Sequence, residues 1–423
     1  MAVASCTTLI GLRDDYHVED AGSDATTPPE GGGGDGHTEA AADGASDAGI
    51  DATRDASADV AIGADGALDA GDSGDAGNAG DALAEAMPDG PLSCVGLEAG
   101  CGPSGALESC CASTYVEGGT FLHQTVGEPA DANVVEQPDA SSSVSGFRLD
   151  KYLVTVARFR NFVAAMNAGW YPQNGQGKHG YLPEGGLWST MDQATEMGWR
   201  EEYNAIEYPP GYDGGSLSLP TSAAGWNNYL TNAECTPNAA MWTPDAGPYD
   251  DHPINCVSWE GAYAFCIWDG GFLPTDAEYN YAQSGGSEQR LYPWSVPPGD
   301  AAIDPSYASY GTANGSCYGA GGATASAHSC SSFDHTVPGS KPAGNGKWGQ
   351  SDLVGNIPEY TLDCFTPIPS GCTDCGPVGV CPTDHVYRTV LANAVAADVI
   401  SAVAGEEKWY SLPLIGFRCA RAP

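Results

Sequence analysis

Apolar residues along this chain recur at helical spacing in a few short stretches, separated by long runs rich in glycine, proline and aromatic residues. In "VTVARFRNFVAAMNAG", Phe159, Phe162, Val163 and Met166 follow the i, i+3, i+4, i+7 spacing of one helix face. Thr155 stands where an N-cap side chain accepts from the first turn, and Gly169 falls just past the end. The aromatic stripe reads as core, not as a ligand box. Ser258 is expected to cap a second helix from Trp259 to about Trp268, stopped by Gly270 and Gly271, with Ala262, Phe265 and Cys266 on one face. Thr275 and Glu278 have the spacing of a capping box and predict a further short helix through Tyr281. "YVEGGTFL" reads as a strand interrupted by a Gly-Gly turn. From Trp170 to about Asp251 the chain is irregular, a length uncommon unless the segment is functional or tied down.

Before residue 90 no apolar period exists. The tract from His17 to Gly90 holds 18 acidic residues, one basic residue (Arg54) and no Phe, Trp or Tyr. Such a segment cannot bury enough apolar surface to offset chain entropy, so residues 17–92 are expected to form a disordered, self-repelling spacer. A calcium-binding Asp/Gly repeat would need a strict nonapeptide period, which is absent. The formal charge of −40 argues against nucleic acid or an anionic membrane surface as a partner, while a cationic peptide would suit it.

Fifteen cysteines point to an oxidising compartment. Cys94, Cys101, Cys110 and Cys111 crowd residues 93–113 with no histidine nearby, which favours a small disulfide knot over zinc. Cys372 and Cys375 form a C-T-D-C motif that could be redox-active, but with Cys364 and Cys381 close by, structural disulfides are the simpler reading. Cys317 with Cys330, and Cys235 with Cys256, are most simply disulfide partners. Cys6 is the natural leftover. "VASC" (Val3 to Cys6) resembles the lipobox of bacterial lipoproteins, in which that cysteine carries the lipid, although only five residues precede it. Residues 1–16 are then a lipobox remnant, and any membrane association is expected only through an anchor at Cys6. The chain is placed outside the cytoplasm: on the outer surface, in the periplasm, or secreted.

Several motifs in order resemble the formylglycine-generating enzyme, or sulfatase-modifying factor, family. They are "VEGGTF" at Val116, "LDKYLVTVARFRNFV" at Leu149, "PINCVSWEGAYAFCIWDGGFLPTDAEYNYA" at Pro253, "YPWS" at Tyr292, "DLVGNIPEYTLD" at Asp352 and "GFRCA" at Gly416. The resemblance runs from about Tyr115 to Ala420, within a domain set at residues 114–423. It implies an α+β fold similar to a C-type-lectin core, loop-rich and stapled by disulfides. It further implies a disulfide between Cys266 and Cys419. A calcium site is implied on Asp352 and Glu359 with the carbonyls of Gly355 and Ile357; hard oxygen ligands in a tight turn suit that ion.

The family's chemistry is expected in the stretch "VLANAVAADVISAVAGEEKW", Val390 to Trp409. Active members carry Arg-Gly-Gly-Ser there, then two cysteines whose thiolates bind copper(I), a soft-ligand pairing. Here the motif falls on Leu391, Ala392, Asn393 and Ala394, and the thiol positions fall near Ala397 and Ala402. No cysteine lies between Cys381 and Cys419, and Lys408 is the only basic residue from Thr389 to Ile415. No catalytic residue is therefore assigned and copper is not expected. No G-x-S-x-G, H-E-x-x-H or P-loop supplies another chemistry. The expectation is a binding or structural module for a peptide or glycan ligand; the rival is an oxidoreductase of the same family acting on protein cysteine from a non-standard site.

Overall fold

The first helix forms where the apolar spacing puts it. The structure is a computed structural model describing residues 90–125, 137–206, 217–233, 240–311, 316–317, 328–329, 335–381, 385–389, 404–406 and 414–423. Helix α1 spans Val156–Asn167, with the Thr155 side chain accepting from the Arg158 amide. Phe159, Phe162, Val163 and Met166 are all buried. A shorter helix, α2 (Ala223–Asn228), capped by Ser222, lies in the stretch that shows no period in the sequence. Helix α3 is Trp259–Trp268 with Ser258 capping the Gly261 amide, and Gly270 follows it at φ +80°. Helix α4 is Asp276–Gln283 and its capping box is complete: Thr275 accepts from the Glu278 amide and the Glu278 carboxylate accepts from the Thr275 amide. It runs two residues beyond Tyr281 because the Gln283 side chain donates to the Leu353 carbonyl at 2.9 Å, which holds the final turn in the interior.

The strands are short. In chain order they are β1 (Ser113–Val116), β2 (Gly119–Thr125), β3 (Gln137–Val144), β4 (Phe147–Asp150), β5 (Trp188–Ser189), β6 (Ala194–Thr195), β7 (Ala205–Ile206) and β8 (Leu217–Ser218). The second half adds β9 (Ser316–Cys317), β10 (His328–Ser329), β11 (Glu359–Cys364), β12 (Cys372–Thr373), β13 (Cys375–Gly376), β14 (His385–Arg388), β15 (Ala404–Glu406) and β16 (Ala420–Arg421). Three-stranded sheets form in the orders β1-β4-β16, β11-β14-β15, β12-β3-β2 and β13-β5-β6. Strands β1 and β2 do not pair with each other: β1 runs antiparallel to β4 and β2 to β3. The Gly-Gly step therefore carries the chain from one sheet to the next instead of closing a hairpin. A Cβ on Gly118 would sit 2.5 Å from the Val144 carbonyl oxygen, so only glycine permits that crossing.

The core lies between α1 and α3. Phe159 stacks on Phe265 with centroids 5.7 Å apart and planes 8° apart, and Trp226 and Phe417 meet Phe159 edge-on. Cys266 of α3 is bonded to Cys419 at 2.03 Å, closing a loop across 153 positions. In the chain-entropy picture such a loop is worth about 4–5 kcal/mol. Two nested disulfides, Cys94–Cys111 and Cys101–Cys110, hold residues 93–113. That knot docks on Arg158, a fully buried side chain of α1. Its guanidinium donates to Ser93 Oγ (2.9 Å), the Cys110 carbonyl (3.1 Å), Asp150 (3.1 Å) and Asp269 (2.8 Å). Arg421, partly exposed, binds the same two buried aspartates, so two cations face two carboxylates.

The spacer reading for residues 17–89 and the lipobox at Cys6 lie outside the described residues, as do the side chains of Cys235, Cys317 and Cys330.

Candidate functional site

The turn from Asp352 to Glu359 is folded around a guanidinium. Asp352 takes the left-handed conformation at φ +56° and Gly355 at φ +75°. A Cβ on Gly355 would stand 2.4 Å from the Ser309 carbonyl oxygen, and its own amide donates to Thr389 Oγ1 at 2.8 Å. Asn356 locks the turn by accepting from the Thr336 amide and donating to the Thr336 carbonyl. Glu359 and Ile357 are fully buried. Both oxygens of Glu359 are occupied: Arg418 donates Nε to Oε2 and Nη2 to Oε1, each at 2.7 Å, and the Tyr279 hydroxyl donates to Oε1 at 2.6 Å. Asp352 turns its carboxylate to the Gly339 amide at 2.7 Å and its carbonyl to Arg418. Burial pushes the Asp352 carboxyl up to about 6, against the pull of that amide and of Arg418. Of the four donors in the calcium reading, Glu359 is thus already shared with Arg418 and Tyr279.

A second buried cluster sits at the N-terminus of α4. The Asp276 carboxylate receives Arg388 Nε and, at 2.8 Å, Nη2, while His123 Nε2 lies 2.8 Å away. Burial alone would raise the Asp276 carboxyl, but Arg388 and His123 overcome it and hold the group well below the ordinary range. Asp363 of β11 accepts from the Asp276 amide at 2.6 Å. Its own carboxyl is pushed well up, first by burial and then by the charge on Asp276. Next to this cluster, His179 bridges Glu196 (3.1 Å) and Glu278 (3.3 Å). Burial would push the His179 imidazole down; the two carboxylates outweigh it and raise the group to about 10. These groups are closed to solvent. They anchor β14, the strand that leads into residues 390–403, but offer no exposed nucleophile or base.

Two open clefts are formed by other described residues. One of about 710 Å³ is lined by Lys178, Met197, Trp199, Arg200 and Glu201, among others. The other, about 520 Å³, is lined by Trp188, Met191, Gln193, Pro367, Pro369 and Cys372. Trp188 is 47% exposed, a large apolar surface left uncovered beside it. Cys372 is bonded to Cys375, and Cys364 to Cys381 at 2.11 Å. His385 lies beside the latter pair.

The structure thus brings Cys266 to Cys419, gathers Asp352, Gly355, Ile357 and Glu359 in one turn, and gives Glu359 to Arg418. The positions aligned with the copper chemistry, Leu391 to Ala394, Ala397 and Ala402, lie outside the described residues. The sequence reading missed Arg388, His123, His179 and Glu196. Arg388 and His123 stand alone among mostly apolar neighbours, but His179 follows Lys178 and Glu196 lies in a polar run, so no local signal marks the set.

Residues 103–423 match the sulfatase-modifying factor enzyme 1-like domain. The chain is similar to the formylglycine-generating enzyme of Mus musculus, 28% identical over 236 residues, covering 55% of this chain and 52% of that protein. It is also similar to the inactive C-alpha-formylglycine-generating enzyme 2 of Mus musculus, 25% identical over 276 residues, covering 60% of this chain and 70% of that protein. The match thus spans about half the length of the first of these relatives. Among solved structures, PvdO from Pseudomonas aeruginosa is 16% identical with a TM-score of 0.41, covering 74% of this chain and 94% of that one. With a family match over well more than half its residues and the loop-rich, disulfide-stapled α+β architecture described above, the chain belongs to the sulfatase-modifying factor enzyme 1-like domain family.

Proposed function

We propose that this protein is an extracytoplasmic member of its family that binds a peptide or glycan and does not generate formylglycine. One observation carries the reading: between Cys381 and Cys419 the sequence has no cysteine, and the positions aligned with the copper-binding pair are Ala397 and Ala402. Alanine presents no donor atom, so the change removes the metal outright. The buried ion pairs around α4 support a scaffold kept intact under a site without that chemistry. The open, Trp- and Pro-bordered cleft beside Trp188 supports an extended peptide as ligand. Five disulfides among the described residues fit an oxidising compartment. In this reading Cys6 is lipidated, which incorporation of a labelled fatty acid into the parent but not a Cys6→Ser variant would establish.

The rival reading, an oxidoreductase working from other thiols, draws on Cys372, which lines that same cleft. The deciding experiment incubates the protein with copper(I), oxygen, a reductant and a C-x-P-x-R peptide. No aldehyde above a no-protein control is expected; product well above it would establish the oxidoreductase instead.

A further inference from the structure

Where β11 ends and β14 begins, three donor atoms meet. Cys364 closes β11 and is bonded to Cys381; His385 opens β14 with Nδ1 3.2 Å from Cys381 Sγ. The two sulfurs and a ring nitrogen all lie within 4.8 Å of one another. The ring is fixed on its other sides. It stacks on Trp259 with centroids 3.7 Å apart and planes 8° apart, and it hydrogen-bonds the backbone of Asp363. Outer contacts of this kind orient metal-bound histidines. A disulfide that served only to staple two strands would need no such oriented neighbour.

We infer that Cys364, Cys381 and His385 form a redox-gated metal site, which binds one thiophilic d10 cation, zinc(II) or copper(I), when the disulfide is reduced. A dithiol reductant delivers two electrons and two protons to the S–S bond and is itself oxidised to a disulfide. The cation then displaces the two thiol protons and is held by two thiolate sulfurs and one imidazole nitrogen, a soft set that selects these ions. Zinc–sulfur bonds of about 2.3 Å at a tetrahedral angle set the sulfurs about 3.8 Å apart. With the Cα atoms of the pair 5.2 Å apart, side-chain rotation alone reaches that spacing. Cys381 is partly exposed, which gives reductant and ion a way in. The site is independent of the lost pair at Ala397 and Ala402, and its presence would not restore their chemistry.

The test uses the full chain, reduced with a phosphine under argon and desalted, beside the oxidised protein. Cobalt(II) titration of the reduced protein is expected to give a thiolate charge-transfer band and tetrahedral d–d bands saturating at one equivalent; the oxidised protein should give neither. Zinc(II) and copper(I) are then competed separately against chelators, which ranks the two ions at the site. His385→Phe keeps a stacked ring and the cysteine pair but has no nitrogen; it should weaken binding at least tenfold. Cys364→Ser/Cys381→Ser should abolish it. Binding of neither ion, or equal binding by the reduced parent and either variant, would overturn the inference. Should the double variant fail to fold, His385→Phe alone decides, since it can still form the disulfide.

Discussion

Helices α3 and α4 are consecutive, and both are buried on nearly every face, yet they are held by opposite means. α3 buries Trp259, Ala262, Tyr263, Phe265 and Cys266 against other apolar side chains. All eight residues of α4 are also buried, but they include Asp276, Glu278, Asn280 and Gln283. The α4 side chains find their partners far along the chain: Arg388 for Asp276, His179 for Glu278, Glu359 for Tyr279 and the Leu353 carbonyl for Gln283. An apolar helix accepts any neighbour of suitable volume. A polar one accepts only a partner with the right charge at the right place, so α4 determines which segments surround it and α3 supplies the bulk of the burial.

The largest effects should come from breaking each helix by the means that holds it. Phe265→Ala and Arg388→Ala are each expected to cost about 3–5 kcal/mol, one through a cavity and the other through an uncompensated buried carboxylate. They separate on rescue. Arg388→Met combined with Asp276→Leu should recover most of the loss, since an apolar pair of similar volume replaces a buried ion pair at little cost. No charge change at a partner recovers Phe265→Ala. Urea unfolding of these variants measures both, and a cost under about 1 kcal/mol for Arg388→Ala would erase the contrast.

Next in size is the response to alkali. His179 has a folded pKa of about 10, above its unfolded value of 6.5. Its contribution is therefore complete below about 6.5 and lost as pH rises through about 10. Between pH 7 and 10 the parent should lose stability more steeply than a His179→Gln variant; parallel profiles would remove His179 from the polar network of α4.

Asp352 has the opposite consequence for substitution. Its carboxyl titrates near 6 when folded against an ordinary value of 3.8, so it favours folding while protonated, and that contribution fades as pH rises through about 6. Asp352→Asn, which keeps an acceptor for the Gly339 amide and tolerates the left-handed backbone, should stabilise the protein at pH 7 by up to about 2–3 kcal/mol. The gain should shrink toward pH 4. Calcium added during the melt sharpens the result: a shift in Tm for the parent that Asp352→Asn abolishes would mean the ion displaces Arg418 from the turn.

The smallest contrast lies in the caps. Thr275→Ala should cost about 1–2 kcal/mol and Ser258→Ala about 0.5–1 kcal/mol. The difference arises because Thr275 works in a reciprocal box whose Glu278 also holds His179. Equal costs by thermal unfolding would show the box to be a local device only.

What the sequence showed of this fold follows the range of the forces involved. The caps at Thr155, Ser258 and Thr275 and the stripe on α1 are local, and the structure has them at those residues. The Cys266–Cys419 bridge was legible only through resemblance, because nothing local pairs residues 153 apart. Arg158 lies outside the apolar stripe of α1, yet it is buried among carboxylates from Asp150 and Asp269. Glu359 looks like a free ligand in its turn until Arg418, 59 residues later, takes both its oxygens. The Gly-Gly step at 118 reads as a turn interrupting one strand, yet its two sides join different sheets, because periodicity does not say which strand a strand will meet. Charges and strand partners are decided in three dimensions, and single-residue types carry no address.

Arg418, Cys419 and Arg421 bear on the order in which this protein can be made. Asp150 shares Arg421 across 271 positions, and Asp269 shares it across 152. Glu359 waits for Arg418, and Cys266 for Cys419. At about 5–20 residues per second, roughly 15–55 seconds separate synthesis of Asp150 from that of Arg421. For the last 152 residues of that interval, from Asp269 onward, a nascent chain carries an aspartate pair with only Arg158 to neutralise it, together with an unpaired thiol on its central helix. The domain is thus built to close late and all at once, and a ribosome stalled before residue 418 would release a chain whose half-made core is left for quality-control proteases.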